Sequence, residues 1–475
     1  METPTLQRPY EKVQPHDFLM PSRRDFLKQS AAVTTVLGFP AVLKAANPNS
    51  LLQVASIGAN GMALSDLRNI AEHAKVKYVA FCDVDRDRFA EADKVIPGVP
   101  HYADFREMLE TLGDKVDAVN VGTPDHMHAH ASIEAMKRGK HVYCQKPLAH
   151  TVWEARQMRL WAEKTGVITQ MGNQIHSAIQ YRMGTQLIKD GAIGKVKEVH
   201  SWVGVTGNER TRLLEPPAPG KVPENLSWDL WIGCAPMREF APDAYHPFVW
   251  RDWQDFGGGA LGDFGCHILD PVFTALGLSA PLSVVADNSG FNKHVWPVNE
   301  TVRWVFPGNA LTAGKTLNVT WSDGGLQPAR KLAKMPPELE LPRSGSLFIG
   351  EEGNLVLPHV GPPGLYPKEK YTAYKYPETP KIDTHWHRWV NGILDNKPTT
   401  DNFTYAGWLS ETVQLGNVAT RMTTHPSGSK GGQVVEGKGV VALDWDAANL
   451  KFPNHPEAEK YLSKMYREGW QVSAA

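Results

Sequence analysis

Ile57-Gly58-Ala59-Asn60-Gly61-Met62-Ala63 decides how the rest of this chain is read. It follows a short apolar run at 51–57 and opens an expected helix. Strand, glycine turn and helix in that order begin a dinucleotide-binding fold, whose fingerprint is G-x-G-x-x-G/A. Gly58 and Ala63 occupy its outer positions, and Asn60 stands where the central glycine would be. Asn tolerates left-handed backbone better than most residues, and Gly61 is adjacent. The amides of Gly61 and Met62, at the helix start, can therefore still face a pyrophosphate. A plain strand–turn–helix would use the same glycines. Asp83 adds weight, ending the next apolar run 25 residues after Gly58. A carboxylate there accepts hydrogen bonds from adenosine ribose hydroxyls and repels a 2′-phosphate. That favours NAD over NADP, although Arg86 and Arg88 leave some room for NADP.

Working outward, short apolar runs alternate with helical stretches. Residues 76–82, 117–121, 141–144 and 167–170 read as strands, and 129–138 and 153–164 as amphipathic helices. Strands spaced by helices imply a parallel, doubly wound sheet. After 172 the rhythm changes. A helix at 179–189 leads to a strand at 197–205, and later strands are expected at 282–286, 300–306 and 316–321. Residues 327–380 and 426–439, rich in Gly and Lys, read as loops, and 456–470 as a helix packing back on the body. The expected architecture is α/β: a Rossmann domain at 47–172, then an α+β domain at 173–440 with a large, mostly antiparallel open sheet. Residues 441–475 form a C-terminal arm, and 1–46 a signal and linker.

A second stretch carries chemistry. Gly257-Gly258-Gly259-Ala260-Leu261-Gly262-Asp263-Phe264-Gly265-Cys266-His267 is a glycine-rich loop feeding a helix. Asp263 and His267 are four apart and share one helical face. An acid and an imidazole side by side can move a proton. A capped helix start with a buried histidine is the plain alternative. Thr123-Pro124-Asp125-His126-Met127-His128 ends a strand, where ligands gather in such sheets, and is expected to line a cofactor. His126, His128 and His130 look metal-like. Only the first and last share a helical face, and no Cys or carboxylate set completes a site, so surface histidines and no metal are expected. Asn173 and Gln174 are placed to reach nicotinamide or substrate, with His176 beside them. Tyr245, Trp250 and Arg251 precede the glycine loop. Aromatic faces stack on sugar rings, and a guanidinium binds hydroxyls or an acidic group. His385 is a further candidate for the substrate pocket.

Gly139-Lys140-His141-Val142-Tyr143-Cys144-Gln145-Lys146-Pro147-Leu148, with Thr123-Pro124 before it and Asp263-x-x-x-His267 after it, resembles the glucose–fructose oxidoreductase / inositol dehydrogenase / MocA family. The resemblance implies a Rossmann domain followed by an α/β domain whose open sheet often serves oligomerisation. It implies NAD(P)-dependent oxidation or reduction at a sugar or cyclitol hydroxyl carbon. It maps the family's lysine before proline onto Lys146 and its acid–histidine pair onto Asp263 and His267. The family commonly has Glu before the lysine. Here Gln145 stands there and is expected to hold Lys146 by a hydrogen bond without adding charge. On this reading His267 is the general base, titrating near working pH. Asp263 orients the substrate or the base, and Lys146 donates to the reacting oxygen. The alternative is an NAD-dependent glycoside hydrolase that oxidises a sugar carbon transiently, usually C3, then eliminates, hydrates and re-reduces. A non-catalytic sugar-binding protein is a third reading, and the joint presence of Lys146, Asp263 and His267 argues against it.

The 475 residues, 42% hydrophobic and 21% charged, suffice for two domains and extras. A net charge of −1 gives no electrostatic reason to expect nucleic acid or an anionic membrane as partner. No apolar run reaches the roughly 18 residues of a spanning helix. Ser22-Arg23-Arg24-Asp25-Phe26-Leu27-Lys28, the apolar stretch 31–42 and Ala45-Ala46 read as a twin-arginine signal. That implies the twin-arginine export machinery as a partner, a periplasmic mature protein free of the membrane after processing, and a tightly held cofactor. A carbohydrate substrate and a homo-oligomer complete the expectation. The four cysteines, without C-x-x-C spacing, read as small buried residues and not as disulfides or zinc ligands.

Overall fold

A computed structural model describes residues 51–206, 210–423 and 439–475. The expected export signal lies outside them, as does all but the last residue of the 426–439 loop.

The first layer is a six-stranded parallel sheet of β1 (Leu52–Ile57), β2 (Val76–Cys82), β3 (His101–Tyr102), β4 (Ala118–Val121), β5 (His141–Gln145) and β6 (Thr169–Gly172). Its order is β3-β2-β1-β4-β5-β6. Every residue of β4 is buried, as a parallel sheet covered by helices on both faces requires. The connecting helices are α1 (Met62–Ala71), α2 (Phe89–Val95), α3 (Phe105–Leu112), α4 (Asp125–Lys137) and α5 (Val152–Thr165). The chain reverses direction of winding between β1 and β4. That switch point opens a crevice at the strands' C-terminal ends.

Helix α6 (Ile179–Lys189) leads into the second layer, an eight-stranded sheet. Its strands are β7 (Val196–Trp202), β8 (Ser283–Asn288), β9 (Glu300–Pro307), β10 (Thr316–Ser322), β11 (Gly345–Gly350), β12 (Asn354–Pro358), β13 (Gly364–Tyr366) and β14 (Ala442–Asp444). Only β7 and β10 run parallel; the other pairs are antiparallel. Burial alternates residue by residue along β9, so one face is packed and the other open. The packed face meets α8 (Gly259–Ile268), α9 (Asp270–Leu276) and α11 (Phe403–Met422); α7 (Trp228–Ile232) and α10 (His385–Leu394) lie elsewhere on the body. Helix α11 is wedged between the two layers and is buried along most of its length. Arg156 of α5 donates to both carboxylate oxygens of Glu411 on α11, at 2.9 and 2.8 Å, and ties the layers together.

Two expectations need correction. The 327–380 stretch holds three strands, β11 to β13. Their apolar cores, such as Leu355-Val356-Leu357, are short, and the Pro, Lys and Gly of the intervening turns mask them. Residues 456–470 form no α-helix. Only Pro456–Tyr461 coils, as a 3-10 turn, and the tail is held instead by anchors such as the buried Trp470 and the Lys464–Glu154 ion pair at 2.9 Å.

Candidate active site

The crevice is a cleft of about 450 Å³ lined by the ends of β1, β2, β4 and β5. Its floor is shaped for a close backbone approach. Gly58 has φ +103°, and a Cβ there would lie 2.9 Å from the Ala63 Cβ; a Cβ on Gly122 would lie 2.6 Å from it. The start of α1 has no side-chain cap, so its first amides are available to an anion. Asn60 does not take the left-handed backbone expected of it. Gly61 does, at φ +60°, and the Asn60 carboxamide oxygen accepts from the Gly61 amide at 2.7 Å. The Thr123 hydroxyl, also lining the cleft, is buried without a partner. An uncapped helix start, a glycine floor and an orphaned hydroxyl fit a dinucleotide.

Asp83 lines the cleft and accepts from the amides of Ala59 at 2.9 Å and Asp85 at 3.0 Å. Burial pushes its pKa up to about 6. Arg88 is bonded to Asp85 at 3.0 Å, and Arg86 reaches the Glu224 carbonyl at 2.7 Å. Both arginines are thus committed to protein groups. Asp125 and Pro124 open α4 at the cleft wall, and burial pushes Asp125 up to about 7. A segment of the second layer roofs the cleft. Ser227 donates to the Val84 carbonyl at 2.8 Å, and His246 meets Asp85 at 2.8 Å. Trp231, His246, Trp250 and, from the C-terminal tail, Trp470 all line the space.

Lys146 stands at the end of β5. Its ammonium donates to the Asp263 carboxylate at 2.5 Å and the Asp263 carbonyl at 2.7 Å. Arg210 also pairs with Asp263, and Arg251 lies 3.5 Å away. Burial alone would raise the Asp263 pKa, but Lys146, Arg251 and Arg210 hold it well below the usual carboxylate range. One turn on, His267 is half-buried. Its Nδ1 lies 2.5 Å from the Asn173 carboxamide oxygen. The Asn173 amide nitrogen donates to the Cys266 carbonyl at 2.9 Å, which fixes the orientation of the carboxamide. The oxygen facing His267 can only accept, so Nδ1 carries the proton and Nε2 is bare. Burial, then the charge of Lys146, pushes the His267 pKa well below its ordinary value.

Several expected roles are corrected by this geometry. His267 does not titrate near neutral pH. Its orientation comes from Asn173, not from Asp263; Asn173 is fully buried and its carboxamide is spent on the imidazole and the Cys266 carbonyl. Gln145 does not hold Lys146; its amide donates to Asp66 at 2.7 Å, and Gln174 also faces Asp66. His128 has both ring nitrogens on carbonyls, Pro147 and Thr123, each at 2.8 Å. It staples two cleft loops; burial would lower its pKa, but Cys144 and these two carbonyls hold it above the ordinary imidazole value. His126 and His130 are buried, not surface groups, and reach the carbonyls of Trp231 and Trp470. Tyr245 is 1% exposed inside an aromatic cluster, because four neighbouring rings offered it a better site than water. His176 is buried against Asp270 at 2.9 Å and Thr400 at 2.8 Å, and its pKa rises to about 9. His385 is buried behind β6, 3.1 Å from the Met171 carbonyl. Trp250 and Arg251 do stand at the cleft, the guanidinium 4.2 Å over the indole. Arg210, Phe264 and His359 belong to the same cluster and were missed. Arg210 and His359 lie far from any motif, and Phe264 reads as filler inside one. The four cysteines are buried and free. Among the described residues no group of His, Cys, Asp and Glu is placed to hold a metal.

Residues 52–173 match the NAD-binding Rossmann fold of the GFO_IDH_MocA oxidoreductase family, and residues 201–298 match that family's C-terminal alpha/beta domain. Both halves of the chain are thus similar to domains of the Gfo/Idh/MocA oxidoreductases, the first to their NAD-binding Rossmann fold. Its curated relatives include a 1,5-anhydro-D-fructose reductase of Ensifer adhaerens, 38% identical over 18% of this chain and 26% of that protein. They also include a glycosyl hydrolase family 109 protein of Shewanella sp. (strain ANA-3), 27% identical over 37% of this chain and 44% of that protein. The chain thus spans less than half the length of either. Among solved structures, levoglucosan dehydrogenase in complex with NADH and levoglucosan has the same fold. Its TM-score is 0.52 at 16% identity, over 78% of this chain and 98% of that one.

Proposed function

We propose that this protein is an NAD-dependent oxidoreductase acting on a secondary hydroxyl carbon of a sugar, glycoside or cyclitol. The observation that carries this reading is the convergence of Lys146, Asp263 and a bare imidazole nitrogen of His267 beside a dinucleotide cleft. Bound nicotinamide would supply the hydride acceptor. The chain's own groups handle the proton. His267 Nε2 takes it from the reacting hydroxyl. Lys146 spends two of its three N–H donors on Asp263 and keeps one for the reacting oxygen, where it stabilises developing charge. Asp263, held ionised, fixes the ammonium. Asp83, with both nearby arginines engaged elsewhere, favours NAD over NADP. The carbohydrate class is supported by the names of the relatives.

The roof over the cleft supports a retained cofactor, and with it a second reading: a redox-neutral glycoside hydrolase, as the family 109 relative suggests. We also infer export through the twin-arginine pathway from Arg23-Arg24 and the apolar stretch after them, and a homo-oligomer from the open sheet face. The domain limits are proposed as 47–172, 173–440 and 441–475. The test is to purify the exported protein without added cofactor, denature it and identify released nucleotide by mass spectrometry, then screen glycosides. Stoichiometric NAD with a keto-sugar product of intact linkage supports the dehydrogenase. A free aglycone supports the hydrolase. No nucleotide, and no binding of added NAD or NADP, overturns both.

A further inference from the structure

The functional reading uses one imidazole, and a second stands beside it. His359, just after β12, has its ring centroid 5.6 Å from that of His267, with the planes 38° apart. The Phe264 ring lies 6.3 Å from His267 and 6.1 Å from His359, and the Lys146 ammonium lies 6.0 Å over it. Three polar groups therefore surround one phenyl ring, which suits the apolar C–H face of a sugar. None of the sequence motifs pointed to His359.

Its protonation is set by a neighbour. The Tyr181 hydroxyl lies 2.9 Å from His359 Nδ1. Tyr181 is buried, and burial, with Asp270 nearby, pushes its phenol well above the ordinary value, so it keeps its proton. Donation to Nδ1 is the arrangement that leaves no buried O–H unpaired. The proton of the neutral ring then sits on Nε2. Burial, then Lys146, lowers the His359 pKa, which keeps the ring neutral. The ring is half-buried. The site thus presents two unlike imidazoles, an acceptor nitrogen on His267 and an N–H donor on His359. With ring centroids 5.6 Å apart and a reach of about 3 Å along each hydrogen bond, the two can hold neighbouring oxygens of one sugar.

We propose that His359 is a substrate-contacting, specificity-determining residue whose Nε2–H holds the oxygen next to the hydroxyl that His267 deprotonates, so that the site selects a vicinal diol. This rests on the oxidoreductase reading above. Tyr181 sets only the tautomer, as a positioning residue.

The experiment uses the NAD-loaded protein, methyl D-glucopyranoside and methyl D-galactopyranoside, and the single-deoxy analogues of whichever is oxidised. It follows NADH absorbance and records kcat and KM separately. Wild type is expected to disfavour one deoxy analogue about 10-fold in kcat/KM, the value of one neutral hydrogen bond. In His359→Phe that penalty vanishes with bound NAD unchanged, and in His359→Gln, which keeps an N–H, it persists. Tyr181→Phe, which frees the tautomer, shrinks the same penalty and no other, and serves if His359→Phe does not fold. The proposal is overturned if His359→Phe slows parent and analogues by one common factor, or if neither variant alters any penalty. Failure of the oxidoreductase reading shows itself earlier, as NAD-loaded wild type that oxidises no sugar.

Discussion

Replacing Asn173 with alanine removes the acceptor 2.5 Å from His267 Nδ1 and the donor to the Cys266 carbonyl, while leaving every cleft-lining group in place. The imidazole then has two choices. It keeps its Nδ1 proton without a partner, at a cost of about 1–3 kcal/mol. Or it moves the proton to Nε2, the atom that must receive one from the substrate. Either way the reactive state is lifted by that amount, and with about 1.4 kcal/mol per tenfold the rate falls roughly 5- to 150-fold. The loss belongs to kcat and equally to kcat/KM, because the interaction serves proton transfer and not ground-state binding. Initial rates of NADH formation measure it, nucleotide content after denaturation shows that NAD stays bound, and 15N spectra of histidine-labelled protein report the His267 tautomer. An Asn173→Ala enzyme within about threefold of wild type, with Nδ1 still protonated, lies below the cost of an unpaired donor and would refute the reasoning. Asn173→Asp gives the opposite signature. A carboxylate beside the ring raises its pKa. Wild-type His267, held neutral by burial and Lys146, gives no acid limb near pH 6.5, whereas the Asp variant loses activity as pH falls through its raised value.

Asp83, raised to about 6 by burial, predicts a pH signature with two signs. NAD affinity should weaken as pH drops below 6, because the protonated carboxyl gives up an acceptor. A raised carboxyl pKa contributes stability that is full below the unfolded value of about 4 and is lost as pH rises through the folded one. Calorimetric titration and apo melting curves should therefore trend oppositely between pH 5 and 7, and Asp83→Asn should flatten both; parallel trends contradict the assignment. Glu411→Gln leaves the buried Arg156 without its counter-charge and should cost about 3–5 kcal/mol, read as a fall in Tm; an unchanged Tm would show that the pair does not hold the layers.

Much of the fold was legible because its elements are locally consistent. The runs ending at Ile57, Cys82 and Val121 are apolar, short and bounded by turn residues, and parallel strands buried on both faces need nothing more to announce themselves. Helix α6 was readable at both ends. What failed did so for local reasons. The two residues of β3 are too few to show a pattern. Strands β11 to β13 are drowned by their turns. The residues 456–470 carry anchors that fix a tail without coiling it. Helix α11, buried along most of its length, has no polar face to give it a helical period.

The site divides along the same line. Sequence alone pointed to the glycine floor, Asp83 and the Asp263–His267 spacing, because each depends on neighbours within a turn or on a position at a strand end; Lys146 came from the family resemblance carried by Gln145-Lys146-Pro147. Tertiary structure alone decided the rest. It chose Asn173 over Asp263 as the group that fixes the imidazole, sent Gln145 to Asp66, buried Tyr245, His176 and His385, and brought Arg210 and His359 to the cluster from distant segments. These choices turn on burial and on partners far along the chain. A side chain's protonation and role follow from the charges and hydrogen-bond acceptors packed around it, and no local pattern encodes them.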